Sequence, residues 1–550
     1  MRATPLGDLT SHRAAAVALA MALAGGAAPA ATHGQTRAPE DTERAAVTHL
    51  LERATFGARA TDLDIALAMG ADRWLERQLR PERIDDSALE GRLEAYPAAS
   101  MTQSELVESY PPPRVLREKF GNPDSLTASQ RREVRMMSPG RIARDLVGAK
   151  LARAVYSERQ LEEVMVDFWF NHFNVFFAKG ADRWLVADYE RTAIRPHVFG
   201  TFEDLLGATA RHPAMLFYLD NWRNLVPDSM NAGAAGRARR RPPADGRQRG
   251  YNENYARELL ELHTLGVNGG YTQEDVVAVA RALTGWTITR PDAARESGEV
   301  RFRFVPQLHD PGPKTVLGTE LPGGRGMEDG LAVLRLLAHH PATADHVARK
   351  LVERFVADDP PPEAMERIAT VFRATGGDLR EVTRAVFQDP EFRDPSNFGV
   401  KIRSPFELVA ASLRVSGADV RSPGALVQQL REFGHMPYLA DVPTGYPETS
   451  EEWVNGGAML QRMNYGLALA AGQVRGVRVG RAGEDRKREV EPSGNAEIVA
   501  ALAGELLPGR DTRELVNVIL DDLEREDLSG IGAARRAGGL LIGSPEFQHH

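Results

Sequence analysis

Along residues 44–80, leucines and alanines recur every three or four positions, with breaks at Gly57 and Gly70. That spacing predicts helix, turn, helix, short break, helix. The same period runs through 139–178 and 328–357. Alternating strand patterns are scarce, and VRFRFVPQ at 300–307 is the exception that reads as a short strand. The expected fold class is mostly α: a large multi-helix globular body with few or no short strands.

Breaks in the pattern divide the chain. Residues 1–30 carry Arg2 and Arg13, then the apolar run AAAVALAMALAGGAAPA, closing on small residues around Ala28-Pro29-Ala30. This is the layout of a cleaved secretory signal, and the run is short for a membrane span. A polar linker is expected over 31–43, then a main helical domain over 44–474. Within it, 226–250 combines Gly, Pro and six arginines without apolar periodicity and reads as a solvated basic loop. A charged linker is expected over 475–495 and a C-terminal helical segment over 496–550. The mature chain is expected to be soluble, without a membrane span, and periplasmic or secreted.

Composition narrows the chemistry. With 42% hydrophobic and 26% charged residues in 550, the chain can bury a substantial core. A net charge of -8 argues against general nucleic-acid binding. The absence of cysteine removes disulfides, thiolate metal sites and covalent haem attachment. Any metal must be held by His, carboxylate or amide oxygen.

The densest polar stretch is YNENYARELLELHTLGV at 251–267. On a regular helix Asn254, Glu258 and Glu261 share a face, and Glu253, Arg257 and Glu261 form a ladder of i,i+4 ion pairs. His263 lies near the helix end, followed by the stop at Gly266 and the turn Asn268-Gly269-Gly270. Thr272 and Asp275 form a capping box for a helix reaching Leu283. Three further clusters combine histidine with carboxylate, amide or amine: Asp167, Asn171 and His172; His212, Asp220 and Asn221; His309, Asp310 and Lys314. None matches a zincin, an EF-hand, a nucleophile elbow, a P-loop or a di-iron bundle. The echo between RAVFQDPEFR at 384–393 and GLLIGSPEFQ at 539–548 reads as helix capping at Asp389 and Ser544.

Taken together, HLLERATFG at 49–57, FWFNHF, RHPAMLFYLDN, NENYARELLELHTLGVNGGYTQEDV, ALTGW and HDPGPKTVLG resemble the bacterial family called domain of unknown function 1800. HPATADHVARKLVERFV at 340–356, KIRSPFELV at 401–409 and the terminal SPEFQ extend the resemblance across nearly everything after the signal. The resemblance implies export and a sulfatase-like neighbour, with no established reaction. This chain departs from the family pattern at Phe170, where a histidine is usual, and at Tyr446, where a tryptophan is expected.

Two functional readings follow. In the first, the chain is an exported metal-dependent hydrolase. His172, His212, Glu258, Glu261 and His263 supply ligands, and Glu258, Glu261, Arg257, His309 and Asp310 act catalytically. A divalent metal such as Mn, Fe or Zn would activate water, with Arg257 or Lys314 holding an anionic substrate group. In the second, the polar clusters are structural, and the chain is a non-catalytic periplasmic binding or assembly partner of the sulfatase-like protein. Convergence of the histidines on one open cleft favours the first; scattering favours the second.

Overall fold

The computed structural model describes residues 39–226, 251–289, 299–479 and 494–550. The expected signal, the body of the basic loop and most of the charged linker lie outside the described residues. Helix α1 spans Pro39–Ala54, starting about a turn earlier than the linker boundary predicts. Proline's fixed φ suits it to a first helical turn. α2 (Ala60–Met69) and α3 (Ala71–Gln78) follow, broken at Gly57 and Gly70 as the periodicity requires. Gly57 has φ +134, and a Cβ there would lie 2.9 Å from Ala411 Cα, so the break is also a close crossing.

The elements that build the functional region are long and buried. α4 (Gly140–Tyr156) and α5 (Gln160–His172) are buried around most of their circumference, as central helices are. The short helix α6 (Glu253–Glu258) and α7 (Gln273–Ala282) follow, and Thr272 and Asp275 form the expected capping box of α7. α8 (Pro341–Phe355) and α9 (Pro362–Thr375) pair side by side. α10 (Pro405–Val415) is buried at every position, including Glu407, Ser412 and Arg414. α11 (Gly456–Ala470) and α12 (Gly530–Gly543) close the chain.

Among the described residues, strands form only two-stranded antiparallel sheets. β1 (Trp286–Ile288) pairs with β2 (Phe302–Phe304), which falls inside the expected strand stretch. β3 (Lys314–Val316) and β4 (Thr319–Leu321) form a hairpin, and β5 (Asp419–Val420) meets β6 (Val477–Arg478). The mostly-α expectation holds.

The C-terminal segment is part of the body. α12 meets α11 through glycines: a Cβ on Gly539 would lie 2.7 Å from Leu467 Cα, and one on Gly466 2.9 Å from Gly539 O. Leu541 and Phe547 enter the same core as α1 and α10, and Arg403 N–H donates to Gln548 O. Asp389 and Ser544 cap short helices through their side chains, as their sequence context predicts.

Candidate functional site

The stretch at 251–267 is two joined pieces, not one regular helix. α6 ends at Glu258, and Leu259–Thr264 continues as a π-helix, whose hydrogen bonds span five residues instead of four. The change of pitch breaks the expected ladder. Arg257 reaches Glu253 at 3.6 Å and Gln273 at 2.9 Å, whereas Glu261 accepts from the Tyr271 hydroxyl at 3.0 Å.

Two imidazoles cap the end of the π-helix. His346 Nε2 lies 3.1 Å from Leu262 O, and His172 Nε2 lies 3.1 Å from His263 O. A carbonyl only accepts, so both rings carry their proton on Nε2. Arg349 then donates to His346 Nδ1 at 3.3 Å. Gly266 permits this approach, because a Cβ there would lie 2.9 Å from His346 Nδ1. Burial draws the His172 ring well below the usual histidine range, His263 to about 3 and His346 to about 4. All three are neutral near pH 7.

The His172 and His346 rings border an open cleft of about 710 Å³. One wall is a single face of α8, carrying Ala342, Asp345, His346, Arg349 and Lys350 at helical spacing, and α9 adds Pro362, Met365 and Glu366. His172 and Glu261 lie on its lining. His263 is buried beside them, its Nε2 without a partner. Glu258 is half-buried nearby; burial raises its carboxyl, and the charge of Glu261 adds to the shift.

Next to the cleft is a smaller chamber, of whose lining the sequence reading named only Asp167 and Asn171, with Phe170 and Tyr446 as departures from the family pattern. Asn171 lines the chamber and its neighbour His172 the cleft; Tyr446 lines the chamber and Thr444 the cleft. Gly445 stands between them with φ +73, and a Cβ there would lie 2.4 Å from Asn171 Oδ1. The Asn171 amide pairs with the Tyr446 backbone in both directions, at 2.8 and 2.7 Å, and also donates to Glu448 at 2.8 Å.

The chamber encloses about 30 Å³, room for water rather than for a whole ligand. α4 contributes Lys150, α5 Asp167 and Phe170, α8 Arg354 and α10 Glu407; loops add Lys401, His435, Tyr438, Tyr446, Glu448 and Trp453. Lys150 meets Asp167 at 2.9 Å. Arg354 meets Glu407 at 2.6 Å and Glu448 at 3.3 Å. Lys401 pairs with Asp358 and donates to the carbonyls of Glu353 and Glu448. Burial pushes the Asp167 and Glu407 carboxyls up, but the adjacent cations, led by Lys150 and Arg354 respectively, hold both below the usual range.

His435 stacks on Trp453 at 4.9 Å and packs against Tyr446 at 4.3 Å. Its Nδ1 is buried and unpartnered. Burial lowers the ring to about 4, against the opposing pull of the Asp167 and Glu407 charges. A second π-helix, Glu190–Ile194, carries Glu190 to within 3.8 Å of Lys150.

The remaining sequence candidates lie elsewhere. His212 caps the helix Pro213–Tyr218: its Nδ1 accepts from Ala214 N–H at 3.1 Å, which leaves Nε2 to donate to Asp188 at 3.3 Å. Both nitrogens are thereby committed. His340 caps α8 in the same way, so His-Pro here spells an N-cap. His309 faces Thr284 O at 2.9 Å and Asp329 at 3.2 Å. Asp310 accepts from Arg281 at 2.7 Å and from Tyr251 at 2.6 Å, and is held at about 2 although burial opposes this. Lys314 is buried with its three donors on Asp310 O, Gly312 O and Asp329, so it does not reach a substrate. The five proposed ligands thus divide between the π-helix region and the His212 cap. Among the described residues, no group of three His, Asp or Glu is arranged to hold a metal ion.

One buried carboxyl stands outside both cavities. Asp182 is fully buried, and neither carboxyl oxygen has a partner. Burial pushes it well above the usual carboxylate range, only partly opposed by Lys179. A raised acid binds its proton more tightly when folded, so its stabilisation fades as pH rises through the folded value. Asp182→Asn removes a contribution that favours the folded state at low pH, so the variant is expected to lose more stability than wild type between pH 8 and pH 5. Urea midpoints at the two values, compared with wild type, check this; an unchanged pH slope counts against it.

Sequence carried a partial signal for the chamber. Lys150 and Glu407 are single charges inside apolar runs, and such residues are rarely buried without a partner. Nothing local says that they meet. Comparison with curated proteins and with solved structures gives no significant match. A family model described as a protein of unknown function, DUF1800, matches residues 49–549, and the chain belongs to that family.

Proposed function

We propose that this protein is a hydrolase that activates water in the chamber, with the open cleft holding the body of the substrate. The observation that carries the reading is the His435 ring: a neutral imidazole lining a water-sized space, with its Nδ1 making no hydrogen bond. A neutral imidazole accepts a proton from water as the water attacks. Asp167 and Glu407 favour the imidazolium that results, since their charges are what raise this ring's pKa. Lys150 and Arg354 line the same space and offer donors to an oxyanion. No step is routed through a metal, because the nominated ligands do not assemble a donor set. The N-terminal pattern makes the periplasm or the exterior the proposed setting.

The second reading, a non-catalytic binding or assembly partner of a sulfatase-like protein, is favoured by the scatter of His212 and His309 away from the cleft and by one further observation. Each cation lining the chamber has a carboxylate partner, as in a network that only holds helices together. The discriminating experiment is a hydrolysis panel of chromogenic carboxylic, phosphate, sulfate and glycosidic substrates. Wild type is expected to turn over one class, and His435→Gln to lose about 100-fold or more of that rate with its circular dichroism unchanged. A folded His435→Gln variant as active as wild type, or no turnover in any class, favours the second reading.

A further inference from the structure

We infer that the group entering the chamber is a small uncharged acyl ester, of acetyl size, carried on a hydroxyl-bearing body too large for the chamber. This rests on the hydrolase reading and adds the substrate class to it. Charge balance in the chamber disfavours an anionic head. Lys150, Arg354 and Lys401 face Asp167, Glu407 and Glu448 across the lining, and the cations are already bound by 2.9, 2.6 and 3.3 Å ion pairs and by the Lys401–Asp358 contact. A phosphate, sulfate or carboxylate head would bring a net negative charge into a lining whose cations are already paired, which is unfavourable in a buried space. The oxyanion formed from an ester is instead balanced by the imidazolium formed with it. An ester carbonyl needs only a hydrogen-bond donor and no counter-ion.

A space of about 30 Å³ admits a group of very few atoms, whereas the neighbouring cleft of about 710 Å³ suits a whole small molecule. Phe170, Tyr438, Tyr446 and Trp453 give the chamber aromatic walls that suit a methyl group. The cleft offers Glu261, Asn268, Asp345 and Lys350 beside Leu262 and Met365, a mixture of donors, acceptors and apolar surface that matches a polyol body.

The step balances without a further co-reactant. Water oxygen bonds to the acyl carbon as His435 takes its proton, and the carbonyl oxygen becomes the oxyanion. The oxyanion then collapses, the acyl C–O bond to the body breaks, and the proton passes from His435 to the departing alkoxide. The products are the carboxylic acid and the free alcohol. The acid ionises, and the charge balance that excludes anionic substrates disfavours retention of this product.

The test uses the full chain with glucose pentaacetate and p-nitrophenyl acetate, a longer p-nitrophenyl acyl ester, p-nitrophenyl phosphate and p-nitrophenyl sulfate. Acetyl esters are expected to be cleaved, with a drop of about 100-fold in His435→Gln. The longer ester is expected to be cleaved at least about 10-fold more slowly than the acetyl esters, as expected when extra methylenes are refused by a small pocket. Millimolar orthophosphate or sulfate at constant ionic strength is expected to leave wild-type turnover unchanged, a measurement that needs no variant. Cleavage confined to the phosphate or sulfate ester and lost in His435→Gln would overturn the acyl assignment while leaving the hydrolase reading standing. Saturable inhibition by either anion would also overturn it. No His435-dependent turnover of any ester overturns both.

Discussion

Below about pH 6.5 the protein is expected to lose stability steeply, by on the order of 8 kcal/mol between pH 6 and pH 4. The cause lies in three buried imidazoles. Burial holds His263 at about 3 and His346 and His435 at about 4, each below the value of an unfolded histidine. A ring with a depressed folded pKa binds fewer protons when folded. Its contribution is therefore complete above the unfolded pKa and is lost as pH falls toward the folded one. Each ring costs roughly 1.4 kcal/mol per pH unit in that window, and three act together. Total stabilities of about 5–15 kcal/mol make this loss large enough to unfold the protein in mild acid. Urea midpoints at successive pH values measure it, and His346→Gln is expected to reduce the slope by one proton. Midpoints that stay level from neutral pH to pH 5 would show that these rings are solvated.

The same histidines show what sequence made legible. Helices, breaks and caps were readable because their causes are local. Gly57 and Gly70 end helices, Thr272 and Asp275 cap one, and residues 302–304 form the strand inside an alternating stretch. His172, Glu261 and His263 were nominated from two distant stretches and do come together at the cleft. His212 and His309 were nominated on the same grounds and do not. A histidine before proline is a cap in both His212 and His340, and periodicity gives no sign of that commitment. The π-helix was invisible too, since the run from Leu259 to Thr264 is equally compatible with a regular helix, and the partners of its Leu262 and His263 carbonyls come from the distant α8 and α5.

The chamber was the least legible feature, for a physical reason. Its charges come from helices separated by up to hundreds of residues, and each enters as a lone polar residue whose partner lies elsewhere in the chain. Arg354 lies in α8, Glu407 in α10 and Glu448 in a loop. Local spacing identifies which face of a helix is buried, but not which opposite charge will meet it.

Arg354→Ala is accordingly expected to cost about 3–5 kcal/mol, among the largest effects of any single substitution in this chain. Its side chain is 10% exposed, and those of its partners Glu407 and Glu448 are 9% and 7% exposed. Removing the guanidinium leaves two carboxylates buried without their nearest cation. The charges of Glu407 and Glu448, which raise the arginine pKa against the cost of burial, are then mutually repulsive. Lost packing alone gives a smaller loss that is indifferent to Glu407, so a double-mutant cycle separates the two causes. Adding Glu407→Gln to Arg354→Ala is expected to recover part of the loss, because one stranded charge is removed, whereas Glu407→Gln alone destabilises by leaving Arg354 underpaired. Chemical denaturation of the four proteins measures the coupling. Additive effects within about 0.5 kcal/mol would mean that water reaches these charges freely. The chamber would then lack the low-dielectric interior on which both the exclusion of anions and the neutrality of His435 depend.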